Sequence, residues 1–220
     1  MIGNIDGPRM PPAAGGKPSS LIVLLHGYGS NGEDLISLAP YWAKALPNTQ
    51  FVSPNAPEPV SMAPGGYQWF PISRLDPREV EMGVQRASGT LEKFIDRELE
   101  RYQIPPDRLA LVGFSQGTMM ALHVGLRRQR LGAIVGFSGA LPAAGKLKDE
   151  ARSKPPVLLI HGDQDEMIPV SALFAAAEGL AAAEIGAQWH VSYGVPHSIG
   201  PDGLQLGGEF LRAALAGKLK

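Results

Sequence analysis

The chain has 220 residues, of which 44% are hydrophobic and 19% are charged, a composition typical of a globular protein. Its formal net charge of -1 excludes the strongly basic surface of a nucleic-acid-binding protein, so we expect no nucleic-acid partner. The absence of cysteine excludes disulfides, thiolate metal sites and a cysteine nucleophile.

The first twenty residues are rich in proline and glycine and lack the apolar stretch of a signal peptide. We predict that residues 1–20 form a flexible tail and that residues 21–220 form a single domain. No apolar run approaches the roughly 20 residues that cross a bilayer. We therefore expect no integral membrane segment and predict a cytoplasmic protein.

The first predicted strand covers residues 21–25 (LIVLL), which are apolar throughout, as in strands buried on both faces. It leads into residues 26–29 (HGYG), a pattern that resembles the H-G-x-G oxyanion loop of esterases. We predict that the backbone N–H of Tyr28 points at a substrate carbonyl oxygen. Residues 27–32 also match the glycine pattern of dinucleotide-binding folds. That fold needs an acidic residue after the second strand, and residues 51–55 contain none.

A helix over residues 33–46 and a strand over residues 51–53 are predicted next. Residues 55–75 form a segment longer than most connections, and such segments are usually functional or disordered. Two interpretations stay open: a surface loop whose aromatic side chains lie in the core, or a wall over a substrate groove. In the second interpretation Trp69 and Phe70 are apolar walls of that groove.

A helix begins clearly after this segment. Asp76 is the expected N-cap, followed by Pro77 at the first helical position and Glu79 at the third. Apolar residues then recur every three or four positions as far as Leu99, and the prolines at positions 105 and 106 end the helix.

Residues 109–117 carry the most informative pattern in the chain. The apolar residues 109–112 predict a buried strand, and a helical pattern runs to residue 128. Between them lies GFSQG, a G-x-S-x-G motif that predicts a nucleophile elbow with Ser115 at its apex. The backbone N–H of Gln116 is then the second predicted oxyanion donor. The alternative is an ordinary glycine-rich turn.

Two later strands end in residues that would activate this serine, which needs a base and an acid that orients the base. The predicted strand of residues 156–160 leads into a loop with Asp163 and Asp165. The predicted strand of residues 188–193 leads into a loop that contains His197, and we expect this histidine to be the base. The order Ser, Asp, His along the chain is that of α/β-hydrolases.

The pattern His161-x-Asp163-x-Asp165 has a metal site as its alternative interpretation. All three ligands would lie on one tight loop, and the other histidines lie on scattered elements. We therefore expect no metal and no cofactor.

The remaining predicted elements are a strand over residues 133–137 and helices over residues 171–183 and 203–216. Strands and helices thus alternate along the chain. This alternation predicts an α/β fold with a mostly parallel central sheet and helices on both faces.

Four segments together resemble the phospholipase/carboxylesterase family, the small α/β-hydrolases that include acyl-protein thioesterases. They are LLHGYGSNGEDL (24–35), GFSQG (113–117), HGDQDEMIPV (161–170) and GVPHSI (194–199). The resemblance implies the α/β-hydrolase fold and assigns the catalytic aspartate to Asp165 rather than Asp163. It also allows a homodimer. One position departs from the family pattern, because Pro71 stands where a Trp-aromatic-Asp element would have its aspartate.

The sequence therefore predicts a serine carboxylesterase that hydrolyses short- to medium-chain acyl esters with Ser115, His197 and Asp165. Met167 is a third predicted apolar wall, next to Trp69 and Phe70. An acyl thioesterase or lysophospholipase with the same triad is the alternative enzyme, so the expected partner is a small acyl ester or thioester. A ligand-binding relative without catalysis is the alternative from another class, and fold alone does not separate it.

Overall fold

The computed structural model describes residues 4–73 and 76–219, in which strands and helices alternate. The strands are β1 (Arg9–Met10), β2 (Ser20–Leu25), β3 (Thr49–Val52), β4 (Glu58–Pro59), β5 (Tyr67–Gln68), β6 (Leu109–Phe114), β7 (Ala133–Phe137), β8 (Val157–Gly162) and β9 (Ala187–Ser192). The helices are α1 (Gly32–Ile36), α2 (Ala39–Ala43), α3 (Pro77–Tyr102), α4 (Gln116–Arg127), α5 (Leu147–Glu150), α6 (Ser171–Ala182) and α7 (Pro201–Leu215).

Seven of these strands form one sheet in the order β1-β3-β2-β6-β7-β8-β9. Only β1 runs antiparallel to its neighbour, and all other pairs are parallel. This confirms the predicted mostly parallel sheet. Because parallel strands end at the same edge, the loops that follow β2, β6, β8 and β9 all emerge on one side of the sheet.

Both faces of the sheet are covered, and β2 shows how the sequence encodes this. Leu21, Val23 and Leu25 belong to a core shared with α3, α4 and α6. Ile22 and Leu24 point the other way, into a core shared with α2 and α7. Successive residues of a strand face opposite sides, so a strand covered on both sides is apolar at every position.

The predicted helix over residues 33–46 is two short helices, α1 and α2. Ser37 closes the first with its hydroxyl on the Asp34 carbonyl. Pro40 lies in the first turn of the second, where its missing N–H costs no helical hydrogen bond. The helix predicted from Asp76 is α3, and Asp76 caps it by accepting from the backbone N–H groups of Arg78 and Glu79.

The N-terminal residues differ from the predicted flexible tail. Strand β1 pairs with β3, and Ile5 is buried in the core. Arg9 donates to both carboxylate oxygens of the fully buried Glu98, at 3.0 and 2.8 Å. A buried carboxylate needs such a partner, and this contact fixes the segment on α3. Residues 1–3 lie outside the described residues, and one domain over residues 21–220 stays a prediction.

The long segment after β3 contains the antiparallel hairpin of β4 and β5. Its aromatic side chains turn inward, as in the first interpretation of this segment: Trp69 and Phe70 are fully buried in the core. A Cβ atom at Gly83 of α3 would lie 2.2 Å from Cδ2 of Phe70, so this glycine is what admits the ring. Leu75, at the end of the predicted segment, lies outside the described residues.

Candidate active site

Ser115 stands at a sharp turn between β6 and α4. Its φ of 53° and ψ of -116° lie in a backbone region that residues other than glycine rarely occupy. A Cβ atom at Gly117 would lie 1.8 Å from the Leu25 carbonyl oxygen, and one at Gly113 would lie 2.3 Å from the Thr118 nitrogen. The two glycines of the motif therefore allow the close contacts that hold the serine in this strained position.

Asp165 and His197 lie side by side on the loops after β8 and β9. Nδ1 of His197 is 2.7 Å from Oδ2 of Asp165, and the carboxylate is fully buried. The other oxygen, Oδ1, accepts from the backbone N–H groups of Met167 at 2.9 Å and Ile168 at 2.8 Å. With the carboxylate as acceptor, Nδ1 carries the proton, and Nε2 of a neutral imidazole is then free to accept one.

The surroundings of Asp165 favour its charged form. Burial acts to raise the pKa of this carboxyl group. The hydrogen bonds from His197 and from two backbone N–H groups outweigh burial, so the pKa lies below its ordinary value. The loop thus presents a fixed negative charge to Nδ1 of His197.

His161 also contacts this carboxylate, a role that the sequence did not reveal. Its Nε2 is 2.8 Å from the Ile168 carbonyl oxygen and 3.3 Å from Oδ2 of Asp165. Asp163 faces elsewhere and accepts from the Gly194 N–H at 2.6 Å, in the loop that leads to His197. The structure therefore places Asp165 next to the histidine and uses Asp163 as a link between the two loops.

The two predicted oxyanion donors lie on neighbouring loops, because β2 pairs directly with β6. Gln116 is the first residue of α4, where a backbone N–H has no partner inside the helix. Within the described part of the chain, the N–H groups of Tyr28 and Gln116 donate to no protein atom. Both residues line the same cavity as Ser115 and His197.

This cavity has a volume of about 370 Å³. Its apolar lining among the described residues consists of Ile72, Met119, Met167 and Ile168. Ser115 and His197 line it without a hydrogen bond between their side chains, a contact that in hydrolases often tightens only with bound substrate. A second apolar cavity of about 340 Å³ shares Met119 and Ile168 with the first.

Of the three predicted wall residues, the structure brings only Met167 to the cavity. Trp69 and Phe70 lie behind it in the core, where their backbone groups bind the side-chain amide of Gln116. A buried indole N–H needs an acceptor, and Trp69 finds it in the His26 carbonyl. Nothing in the local sequence indicates these contacts, because their partners are more than forty positions apart.

Two further observations concern the chain as a whole. Within residues 4–73 and 76–219, no three His, Asp or Glu side chains are grouped so that they could hold a metal ion. None of the described helices has both the length and the apolar character needed to cross a membrane.

Comparison with known proteins places the chain among hydrolases. The family model described as Phospholipase/Carboxylesterase matches residues 12–215. Acyl-protein thioesterase 1 of Schizosaccharomyces pombe is 33% identical over 172 residues, which cover 74% of this chain and 75% of that protein. Acyl-protein thioesterase 1 of Saccharomyces cerevisiae is 31% identical over 211 residues, covering 89% and 92%.

Solved structures agree with this placement. The crystal structure of esterase PE8 superposes with a TM-score of 0.92 at 43% identity, covering 96% of this chain and 99% of that one. Acyl-protein thioesterase 2 of Zea mays gives a TM-score of 0.74 at 25% identity, covering 94% and 97%.

Proposed function

The chain belongs to the phospholipase/carboxylesterase family and is a hydrolase, and from that premise we propose that it is a serine carboxylesterase for short- to medium-chain acyl esters. The proposal rests on the position of His197. Its Nδ1 is 2.7 Å from Oδ2 of Asp165, and its side chain lines the same cavity as the strained Ser115. Ser115 and His197 line this cavity and Asp165 is bound to His197, which supports the roles of nucleophile, base and orienting acid for the three residues.

In the proposed mechanism, Oγ of Ser115 attacks the acyl carbonyl carbon while Nε2 of His197 takes the hydroxyl proton. Asp165 holds the imidazole in the required tautomer and stabilises the imidazolium. The negative charge that develops on the carbonyl oxygen is bound by the backbone N–H groups of Tyr28 and Gln116. His197 then returns the proton to the departing alcohol, which leaves an acyl group on Ser115.

The second half of the reaction repeats these roles with water. His197 takes a proton from a water molecule whose oxygen attacks the acyl carbon. The bond to Ser115 breaks, and the proton passes from His197 to the serine oxygen. The carboxylic acid leaves and the enzyme is regenerated, so the cycle uses no cofactor.

The acyl preference rests on the lining of the cavity. Each methylene that leaves water for the wall of Met119, Met167 and Ile168 gains about 0.8 kcal/mol, or about fourfold in kcat/KM. The gain ends where the chain outgrows the cavity of about 370 Å³. Pro71 stands where the family pattern has an aspartate. Because that aspartate is absent, we expect only modest selectivity among acyl groups.

A second candidate function is acyl-thioester hydrolysis. It is favoured by the two fungal relatives named acyl-protein thioesterase, which share 33% and 31% identity with this chain. The same acyl-enzyme forms in both cases, and only the leaving group differs. The homodimer and the cytoplasmic location stay predictions.

One panel tests these candidates together. Matched octanoyl substrates (an alcohol ester, a thioester and a lysophospholipid) are given to the wild type and to Ser115→Ala. We expect the wild type to show its highest kcat/KM on the alcohol ester, and Ser115→Ala to lose about 10⁴–10⁶-fold in kcat on every substrate. A clear preference for the thioester establishes the second candidate, whereas equal activity of Ser115→Ala refutes the proposed nucleophile. Binding without turnover by the wild type would identify a ligand-binding protein.

A further inference from the structure

Trp69 connects the two segments that carry the predicted oxyanion donors. Its indole Nε1–H donates to the His26 carbonyl oxygen at 2.9 Å, on the loop that leads to Tyr28. Its backbone N–H donates to Oε1 of Gln116 at 2.8 Å, at the elbow. The side chain is only 1% exposed, so both bonds are shielded from water.

On the Tyr28 side, the contact continues through the imidazole of His26. The backbone N–H of Ala56 donates to Nε2 at 2.9 Å, which fixes the ring proton on Nδ1. Nδ1–H then donates to the Gly27 carbonyl oxygen at 2.7 Å. Burial lowers the pKa of His26, which favours the neutral ring that this tautomer requires.

The Gly27 carbonyl and the Tyr28 N–H belong to one peptide group. Because that group is planar and trans, its C=O and N–H point in opposite directions. A hydrogen bond that holds the Gly27 oxygen toward the His26 ring therefore also holds the Tyr28 N–H toward the opposite side. Trp69 also contacts this imidazole, since the centroids of the two rings are 5.8 Å apart.

On the elbow side, the Gln116 side-chain amide hydrogen-bonds to the backbone of the long segment at two adjacent residues. Oε1 accepts from the Trp69 N–H, and Nε2 donates to the Phe70 carbonyl oxygen at 2.8 Å. Gln116 is 2% exposed, and its own backbone N–H is the second predicted donor. Gln116 is thus fixed by the hydrogen bonds of its side chain and by its place as the first residue of α4.

We infer that Trp69 is a positioning residue that sets the separation of the two oxyanion donors, rather than a wall of the acyl site. This inference rests on the proposed function, because it concerns the hole used in that reaction. Replacing Trp69 by phenylalanine would leave the His26 carbonyl without its donor, while the backbone bonds to the Gln116 side chain remain. The loop that carries Tyr28 would then lose its side-chain tie to the segment that stays bound to Gln116. A small displacement of an oxyanion donor weakens transition-state binding but not substrate binding.

Trp42 offers a matched control. It is also buried, and its Nε1–H also donates to a backbone carbonyl, that of Leu204 at 2.8 Å. It lies in the core on the opposite face of the sheet. Trp42→Phe and Trp69→Phe therefore remove the same chemical group at similar burial, and only the second removes it beside the proposed site.

The test measures kcat and KM for p-nitrophenyl butyrate, binding of a trifluoromethyl ketone, and urea unfolding for both variants. We expect Trp69→Phe to lower kcat about tenfold or more, with KM within about twofold. Ketone affinity should fall in parallel with kcat, the acid side of the pH–rate profile should stay in place, and the dependence on acyl length should stay unchanged. Trp42→Phe should keep wild-type kcat with a similar loss of stability.

Several outcomes overturn the inference. One is an unchanged kcat in folded Trp69→Phe, and another is an equal loss of kcat in both variants, which indicates a general structural effect. A changed acyl-length profile with normal ketone binding would identify Trp69 as a wall of the substrate site. A wild type without Ser115-dependent hydrolysis would refute the proposed function and, with it, the inference about Trp69. A normal wild type with an unchanged Trp69→Phe variant would refute only the inference.

Discussion

Replacing Asp165 by asparagine changes one oxygen to an NH₂ group and tests how the carboxylate orients His197. In the wild type Oδ1 accepts two backbone N–H groups, while Oδ2 faces Nδ1 of His197 and Nε2 of His161. An amide has only one oxygen. Whichever way it is turned in Asp165→Asn, its NH₂ group meets two donors that the carboxylate had accepted.

The lowest-cost response is for His197 to move its proton from Nδ1 to Nε2. Nδ1 then accepts from the amide, but Nε2 becomes a donor and no longer takes the proton of Ser115. The expected loss in kcat is about 10⁴-fold, or about 5 kcal/mol, as for a triad histidine held in the wrong tautomer. The contact with His161 is also lost, which should cost about 1–3 kcal/mol of unfolding free energy for the unsatisfied group.

The assay compares kcat for p-nitrophenyl butyrate in Asp165→Asn and Asp163→Asn, with urea unfolding as a check of folding. In Asp163→Asn the amide oxygen still accepts the Gly194 N–H, so kcat should stay within about tenfold of wild type. A folded Asp165→Asn enzyme with nearly full activity would refute the orienting role. If Asp163→Asn is the inactive variant instead, the assignment of the acid is wrong.

Four further predictions follow from the site and the core. Ser115→Ala should lower kcat by about 10⁴–10⁶-fold and abolish labelling by a fluorophosphonate, with peptide mapping as the measurement; an adduct on another serine would contradict it. Chemistry-limited hydrolysis should slow towards acid pH, because a protonated imidazole cannot take the Ser115 proton, and a flat rate from about pH 5 to 8 would argue against His197 as base. Met119→Ala should join the two apolar cavities and move the plateau of kcat/KM to longer p-nitrophenyl esters in a series from about two to twelve carbons, where an unchanged profile would exclude an acyl path along Met119. Burial lowers the pKa of His123 to about 4 in the folded chain. Between about pH 6.5 and pH 4 this histidine is therefore protonated in the unfolded chain but neutral in the folded chain. Stability is therefore complete above pH 6.5 and should fall by about 2 kcal/mol between pH 7 and pH 5, and urea unfolding should show a smaller fall in His123→Leu.

The sequence by itself determined the features that depend on near neighbours. Apolar runs located the buried strands, and the Asp76 cap located the start of α3. The motif glycines marked a turn that only small residues permit. Because parallel strands end at one edge of a sheet, placing Ser115, Asp165 and His197 after strands was enough to expect that they meet.

The sequence did not locate residues whose role depends on a distant partner. Arg9 looked like part of a tail because Glu98, which it pairs with, lies on a helix 89 positions away. Trp69 looked like a wall because its aromatic side chain sits in a long segment, whereas its partners His26 and Gln116 are 43 and 47 positions away.

Only the tertiary structure decided these contacts, because their partners lie far apart in the sequence. Local patterns reflect burial and backbone preference, which a few neighbouring residues reveal. A buried N–H or carboxylate must instead find a partner wherever the chain brings one, and strand order and packing determine that choice. Because β2 lies next to β6 in the sheet, the loop that carries Tyr28 lies beside the turn at Ser115, and Trp69 hydrogen-bonds to both segments.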